Sequence, residues 1–251
     1  MSTFVLVHGA WHGAWCWWKV VSLLAREGHT AVAPDLPGHG EDRTPPSDVS
    51  FASYTRRICE AMDAAGEPVI LVGHSMAGAV ISQAAENRPE KVLFLVYLCA
   101  YLVRDGESLR DIARRGVDNK VTPNLVFSRD RSAMAVREDV IGDALYGDCS
   151  AEEIAWAKSR LVPEATAVWR TPVRLTAARF GGVPRVYIQC SRDQAIPISL
   201  QQQMCAEASD IEVLSIDTDH SPFLSAPERL VQLLLQVGER PCREGRTESR
   251  F

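Results

Sequence analysis

Residues 69–80 read VILVGHSMAGAV. An apolar run ends on Gly73, a serine follows at 75, and small and apolar residues continue in a helical pattern to Asn87. A serine held in a sharp strand-to-helix turn is the setting of a nucleophile elbow, usually written Gly-x-Ser-x-Gly. Here the last position is Ala77, and the glycine comes one residue later at Gly78. Gly73 lets strand and helix approach on one side. Ala77 adds a single methyl on the other, and Gly78 relaxes the next position. The competing reading is a serine N-cap on an ordinary helix.

The runs on either side set the fold. Apolar stretches at 4–7, 31–33, 69–72, 92–98, 186–190 and 213–216 read as strands, and helical patterns fall at 17–27, 54–65, 76–87, 200–208 and 227–238. Unbroken apolar strands alternating with helices predict an α/β protein with a mostly parallel, doubly wound sheet and helices on both faces. The alternation fails across 104–182, where candidate helices lie at 107–115, 133–145 and 151–160. Ser150 with Glu153 three residues on is a capping-box signal for the last of these. The expected organisation is a core of 1–103 and 183–238 with a helical lid at 104–182, ordinary crossover helices being the alternative. The tail 239–251 is charged, poor in core residues, and reads as disordered.

Composition narrows the function. The chain has 251 residues, is 46% hydrophobic and carries a formal charge of −5, which suits one sizeable core. No basic cluster supports nucleic-acid binding, and no apolar run is long enough to span a bilayer. The seven scattered cysteines form no CxxC. They read as buried thiols in a reducing cytoplasm, Cys99 and Cys190 lying inside strand-like runs. No HxH or HExxH spacing occurs, so no metal site is expected.

A serine needs a base, a group to orient the base, and N–H donors for an oxyanion. VLSIDTDHSPF places His220 just past an apolar strand, and VYIQCSRDQAIP places Asp193 just past the preceding one. Both fall at the C-terminal edge, where active sites of parallel sheets collect. Asp105 is a rival acid, whereas Asp217 and Asp219 belong to the turn before His220. The oxyanion donors are the Met76 N–H, next to the serine, and the Ala10 N–H in VLVHGAW, where Gly9 lets the backbone turn close. His8 is expected to hydrogen-bond within this loop and His74 to pack beside the elbow. Candidate pocket residues are Trp11, Phe127, Tyr146, Trp156 and Trp169; the alternative for the last four is a small core of the lid itself. Trp15, Trp17 and Trp18 read as packing the first helix on the sheet.

The segments FVLVHGAWHGAWCW, GHTAVAPDLPGHG, VILVGHSMAGAV, VYIQCSRDQAIP and DHSPFLSAPERL together resemble the α/β-hydrolase branch of plant methylesterases, such as the salicylate-binding methyl salicylate esterase, and hydroxynitrile lyases, with similar bacterial esterases. The resemblance implies the α/β-hydrolase fold with a helical lid inserted after the sixth strand. It also implies Ser75, Asp193 and His220 as the triad, and Ala10 and Met76 as N–H donors. The lyases carry a threonine and a lysine where this chain has Ala10 and Ser221, so an esterase is favoured over a lyase. Haloalkane dehalogenases and epoxide hydrolases use an aspartate where Ser75 stands. Ala77 departs from the family's usual glycine. The implied reaction is cofactor-free hydrolysis of a small-molecule ester, hydrophobic or aromatic, with a lactone, an amide or a polyketide methyl ester equally open. A carbon–carbon lyase, a cofactor-free oxygenase and a triad-bearing ligand-binding protein are the alternatives. A homodimer is compatible with the resemblance.

Overall fold

In the computed structural model, which describes residues 1–240, the apolar runs become strands. Those at 4–7, 69–72, 92–98 and 186–190 are buried on both sides, while the runs at 31–33 and 213–216 fall in half-exposed edge strands. In chain order the elements are β1 (Thr3–Val7), α1 (Trp18–Arg26), β2 (Thr30–Val32), α2 (Phe51–Ala64), β3 (Val69–His74), α3 (Ala77–Asn87) and β4 (Val92–Leu98). Next come α4 (Leu109–Ala113), β5 (Leu125–Phe127), β6 (Ala133–Val136), α5 (Ile141–Leu145), α6 (Ala151–Lys158), β7 (Glu164–Ala165) and α7 (Thr166–Arg170). The chain then returns through β8 (Arg185–Cys190), α8 (Ile198–Glu207), β9 (Ile211–Ile216), α9 (Pro222–Ser225) and α10 (Pro227–Gly238).

Six strands form one parallel sheet in the order β2-β1-β3-β4-β8-β9. All six therefore end at the same edge. The order reverses between β1 and β3, which opens a crevice at that edge. Helix faces follow the apolar spacing: Val20 and Leu24 of α1, and Leu230, Leu234 and Val237 of α10, are buried at intervals of three and four. Helix α1 packs with α10, and α2 with α3.

The stretch between β4 and β8, here the insertion, differs from expectation in two ways. It follows the fourth strand of this chain, not a sixth, because only four strands of the main sheet precede it. It is also not purely helical. The stretch read as a helix over 133–145 divides into strand β6 and the short helix α5. Strand β6 lies between β5 and β7 in a three-stranded antiparallel sheet, a local hairpin with β5 and a pairing with β7 about 30 residues on, and these pairings override the local helical pattern. Helix α6 starts with the expected box: Glu153 N–H donates to Ser150 Oγ at 3.2 Å, and Ser150 N–H to Glu153 Oε2 at 2.9 Å. Of the expected disordered tail, 241–251 lie outside the described residues; Arg240 pairs with Glu212 on β9. No helix among the described residues is long and apolar enough to cross a membrane.

Candidate active site

Strand β3 runs through His74 and α3 begins at Ala77, so Ser75 and Met76 alone make the turn. Ser75 is held at φ +55°, a left-handed conformation that costs an L-residue about 1–2 kcal/mol. Backbone bonds enforce it. Ser75 N–H donates to the Leu98 carbonyl at 3.2 Å, and its own carbonyl accepts from Gly78 at 3.1 Å and Tyr101 at 3.0 Å. A Cβ on Gly73 would lie 2.9 Å from the Ala77 carbonyl oxygen and from Ile81 Cδ1. On Gly78 it would lie 2.2 Å from the Tyr101 carbonyl oxygen. Gly78 therefore does more than relax the helix start: it admits the 100–101 segment against the elbow. Ala77 is fully buried and tolerated.

Asp193 and His220 follow β8 and β9. His220 Nδ1 lies 2.7 Å from Asp193 Oδ2, with both side chains buried. Asp193 Oδ1 accepts from the Ala195 and Ile196 N–H groups at 2.7 and 2.8 Å, so its carboxylate is fixed from both sides. With Nδ1 engaged, Nε2 is the free nitrogen of His220. Ser75, 7% exposed, makes no side-chain hydrogen bond among the described residues; such contacts commonly tighten only when substrate binds. The rival Asp105 instead accepts from Leu175 N–H at 2.9 Å. Asp219 accepts from Ser221 N–H and from the Thr218 and Ser225 hydroxyls, and Asp217 pairs with Ser191 and Arg192, as expected for turn residues.

The loop after β1 presses on the elbow. A Cβ on Gly9 would lie 2.8 Å from His74 Nδ1 and 2.9 Å from Ser75 Cβ. His8 Nδ1 lies 2.8 Å from the Gly9 carbonyl, and Leu36 N–H donates to His8 Nε2 at 3.1 Å. These contacts require the proton on Nδ1 and fix the peptide group that carries the Ala10 N–H. Neither the Ala10 nor the Met76 N–H finds an acceptor among the described residues.

The five pocket candidates separate. Trp11 and Trp169 stack at 6.5 Å, and Tyr101 meets Trp169 edge-on at 5.7 Å. Tyr101 bonds to Ser75, so this trio borders the elbow. Tyr146 is buried with its hydroxyl 2.7 Å from His12 Nε2. Trp156 packs against Trp15 at 5.2 Å and under Arg160. Phe127 stands apart, 47% exposed on β5 beside Arg131. Trp18 also departs from expectation: it is 53% exposed beside Lys19, while Trp17 is buried. A cavity of about 270 Å³ adjoins Trp11, with Val136, Ile141, Leu145 and Leu161 among its walls and Glu138 and Lys158 its charged lining. A larger one of about 840 Å³ lies at the opposite sheet edge, where β4, β8 and β9 begin.

Several contacts were not read from the sequence. His74 Nε2 lies 2.8 Å from the His220 carbonyl and so carries its proton, donating across from elbow to base. Gln201 on α8 is buried; its Nε2 donates to the Ile196 carbonyl at 2.7 Å and reaches Asp193 Oδ2 at 3.3 Å, while its Oε1 accepts from Cys190 N–H. Donor atoms of His74, Cys99 and His220 lie within 4.8 Å of one another. Both His74 and Cys99 are spent on the His220 carbonyl, and burial pushes the Cys99 thiol well above its ordinary value. This cluster is therefore packed as a hydrogen-bonded core and not as a ligand set.

Comparison with known proteins places these features in context. The model of the alpha/beta hydrolase family matches residues 4–233. The chain is 32% identical to salicylic acid-binding protein 2 of Nicotiana tabacum, covering 94% of this chain and 97% of that protein. It is 32% identical to a longer, chloroplastic member of the Arabidopsis thaliana methylesterase series, covering 93% of this chain but spanning 63% of the relative's length. Among solved structures, a pyrethroid hydrolase from Sphingobium faniae superposes with a TM-score of 0.86 at 30% identity, covering 96% and 98% of the two chains.

Proposed function

The chain belongs to the alpha/beta hydrolase family, and on that premise we propose that it hydrolyses a carboxylic ester with Ser75 as nucleophile. His220, oriented by Asp193, takes the Ser75 proton as Oγ bonds to the ester carbonyl carbon. The Ala10 and Met76 N–H groups hold the resulting oxyanion, each worth about 3 kcal/mol of transition-state stabilisation. The C–O bond then breaks, and His220 passes its proton to the departing alcohol. Water, deprotonated by His220, attacks the acyl-serine, and the acid leaves as the Ser75 hydroxyl is restored. The sum is ester plus water to acid plus alcohol.

The observation that carries this reading is the left-handed Ser75 at the β3–α3 turn, because that strain is retained only where its surroundings over-determine it. The free Ala10 and Met76 N–H groups beside it supply the second support. Relatives named as methylesterases and pyrethroid hydrolases support ester cleavage. Residues 104–182 serve as the lid. Trp11, Trp169 and Tyr101 give an aromatic wall suited to a small apolar or aromatic group.

The test is a panel of nitrophenyl esters of graded acyl length, methyl esters of aromatic acids, a lactone and a cyanohydrin. A fluorophosphonate probe is run alongside. Hydrolysis of a short or aromatic ester, with the probe mapped to Ser75 and turnover lost in Ser75→Ala, is the expected result. Turnover that survives Ser75→Ala would overturn the assignment.

A further inference from the structure

One turn of the insertion touches three loops that carry the site. Tyr146 reaches the loop after β1: its hydroxyl lies 2.7 Å from His12 Nε2, and His12 Nδ1 lies 2.8 Å from the Ala10 carbonyl. The carbonyl can only accept, so Nδ1 carries the proton and Nε2 accepts from the tyrosine. Two residues on, Asp148 Oδ2 accepts from the Asp219 N–H at 2.7 Å and from the Arg192 guanidinium at 2.8 Å. Asp148 N–H returns a bond to Asp219 Oδ2 at 3.1 Å. Asp219 immediately precedes His220, and Arg192 immediately precedes Asp193.

The sheet alone does not align these loops. Strands β1 and β9 stand four positions apart in the strand order, roughly 19 Å at about 4.8 Å per strand. The Ala10 N–H and the His220 imidazole must nonetheless meet at one tetrahedral carbon. Ladder hydrogen bonds fix where the strands end, not how the loops beyond them lean inward.

We infer that the turn at 146–148 sets the register between the oxyanion loop and the acid–base pair, with Tyr146 and Asp148 as positioning residues. This rests on the esterase reading above. The insertion then contributes to alignment of the reacting groups and not only to covering them. Other polar ties reach these loops singly: Val162 N–H donates to the Trp11 carbonyl at 2.9 Å and Lys120 N–H to the Gln194 carbonyl at 2.8 Å, whereas the 146–148 turn joins the loops after β1, β8 and β9 to one another. Lys19 with Glu153 at 2.6 Å reaches α1 and leaves the Ala10, Asp193 and His220 backbones untouched.

The experiment compares Tyr146→Phe and Asp148→Asn with Glu153→Gln and the unaltered protein. It reads kcat and KM on a nitrophenyl ester, affinity for a trifluoromethyl ketone that adds to the serine, and thermal unfolding. Tyr146→Phe and Asp148→Asn are each expected to lower kcat about 10- to 100-fold, the scale of a misplaced reacting group. KM should stay within about twofold, and ketone affinity should fall in step with kcat. Glu153→Gln should change none of these. Asp148 is partly exposed, so its variant stands as an independent check if Tyr146→Phe folds poorly. Wild-type kcat in Asp148→Asn, a loss no larger than that of Glu153→Gln, or a loss confined to KM would overturn the inference. Failure of the fluorophosphonate probe to label Ser75 in the unaltered protein would instead overturn the esterase reading itself.

Discussion

Gly78→Ala tests the elbow most directly. The added Cβ falls 2.2 Å from the Tyr101 carbonyl oxygen and 3.0 Å from Ala100 Cβ. Nonbonded heavy atoms settle near 3.5 Å, so helix α3 and the 100–101 segment must part by roughly 1.3 Å. The Tyr101 N–H donates to the Ser75 carbonyl, and the separation strains the bond that keeps the serine left-handed. Overpacking of this kind costs about 1–3 kcal/mol, and a displacement near 1 Å costs about 100-fold in rate. Ala77→Gly is the matched control. It removes one buried methyl, about 0.8 kcal/mol, and weakens the helix start by up to about 1 kcal/mol, while leaving Ser75 in place. The assay is thermal unfolding together with kcat/KM on a nitrophenyl ester. Gly78→Ala should lower melting by about 5 °C and kcat/KM by about 100-fold. Ala77→Gly should lose stability while activity stays within about threefold. Wild-type activity in Gly78→Ala, or an equal activity loss in Ala77→Gly, would refute the packing argument.

Ser75→Gly should abolish turnover yet raise stability by about 1 kcal/mol, because glycine adopts φ +55° without strain; a lower melting temperature would contradict this. Stability should fall in acid. Burial, the largest cause in each case, pulls His8 and His74 well below their ordinary value and His12 to about 3. The unfolded chain therefore binds more protons below about pH 6.5, and each of the three removes up to about 1.4 kcal/mol per pH unit. His39 has the opposite sign. Burial pulls it down, but Glu164, 3.2 Å away, outweighs burial and raises it. Its contribution is complete below about pH 6.5 and is lost as pH rises through its folded value. Urea unfolding at pH 5 and 7 measures the acid limb, and equal stability at both would contradict the neutral, buried histidines. Ser221 Oγ is buried without a partner, so Ser221→Ala should change stability by no more than about 0.5 kcal/mol and leave kcat intact; a tenfold loss of kcat would show that this hydroxyl meets the substrate.

What the sequence disclosed follows from how local each signal is. Strands buried on both faces read as unbroken apolar runs, so 92–98 matches β4 to the residue. Asp193 and His220 were legible because each follows the last apolar residue of a strand, and a parallel sheet puts those ends on one edge. Strand β6 was misread because Ala-Met-Ala-Val has no decisive period, and its partners β5 and β7 decide its state. Gln201, His74 and Asp148 were invisible as positioning contacts for a different reason. Their partners lie 8, 146 and 71 residues away, and no periodicity reports a hydrogen bond across such a span. Trp18 and Phe127 show the converse, since large apolar residues on a surface carry no mark that separates them from core.

The parallel order of the main sheet also bears on synthesis. Strand β4 is an interior strand, paired on one side with β3 and on the other with β8. Its second partner begins 87 residues after it ends, at Arg185 following Leu98 (185 − 98). At about 5–20 residues per second, the ribosome leaves that edge unpaired for roughly 4–17 s. During the wait, Val92–Leu98 presents an apolar strand with open N–H and C=O groups, the form most apt to pair with another chain. Soluble yield should accordingly respond to growth temperature and to holdase chaperones more than to the stability of the finished fold.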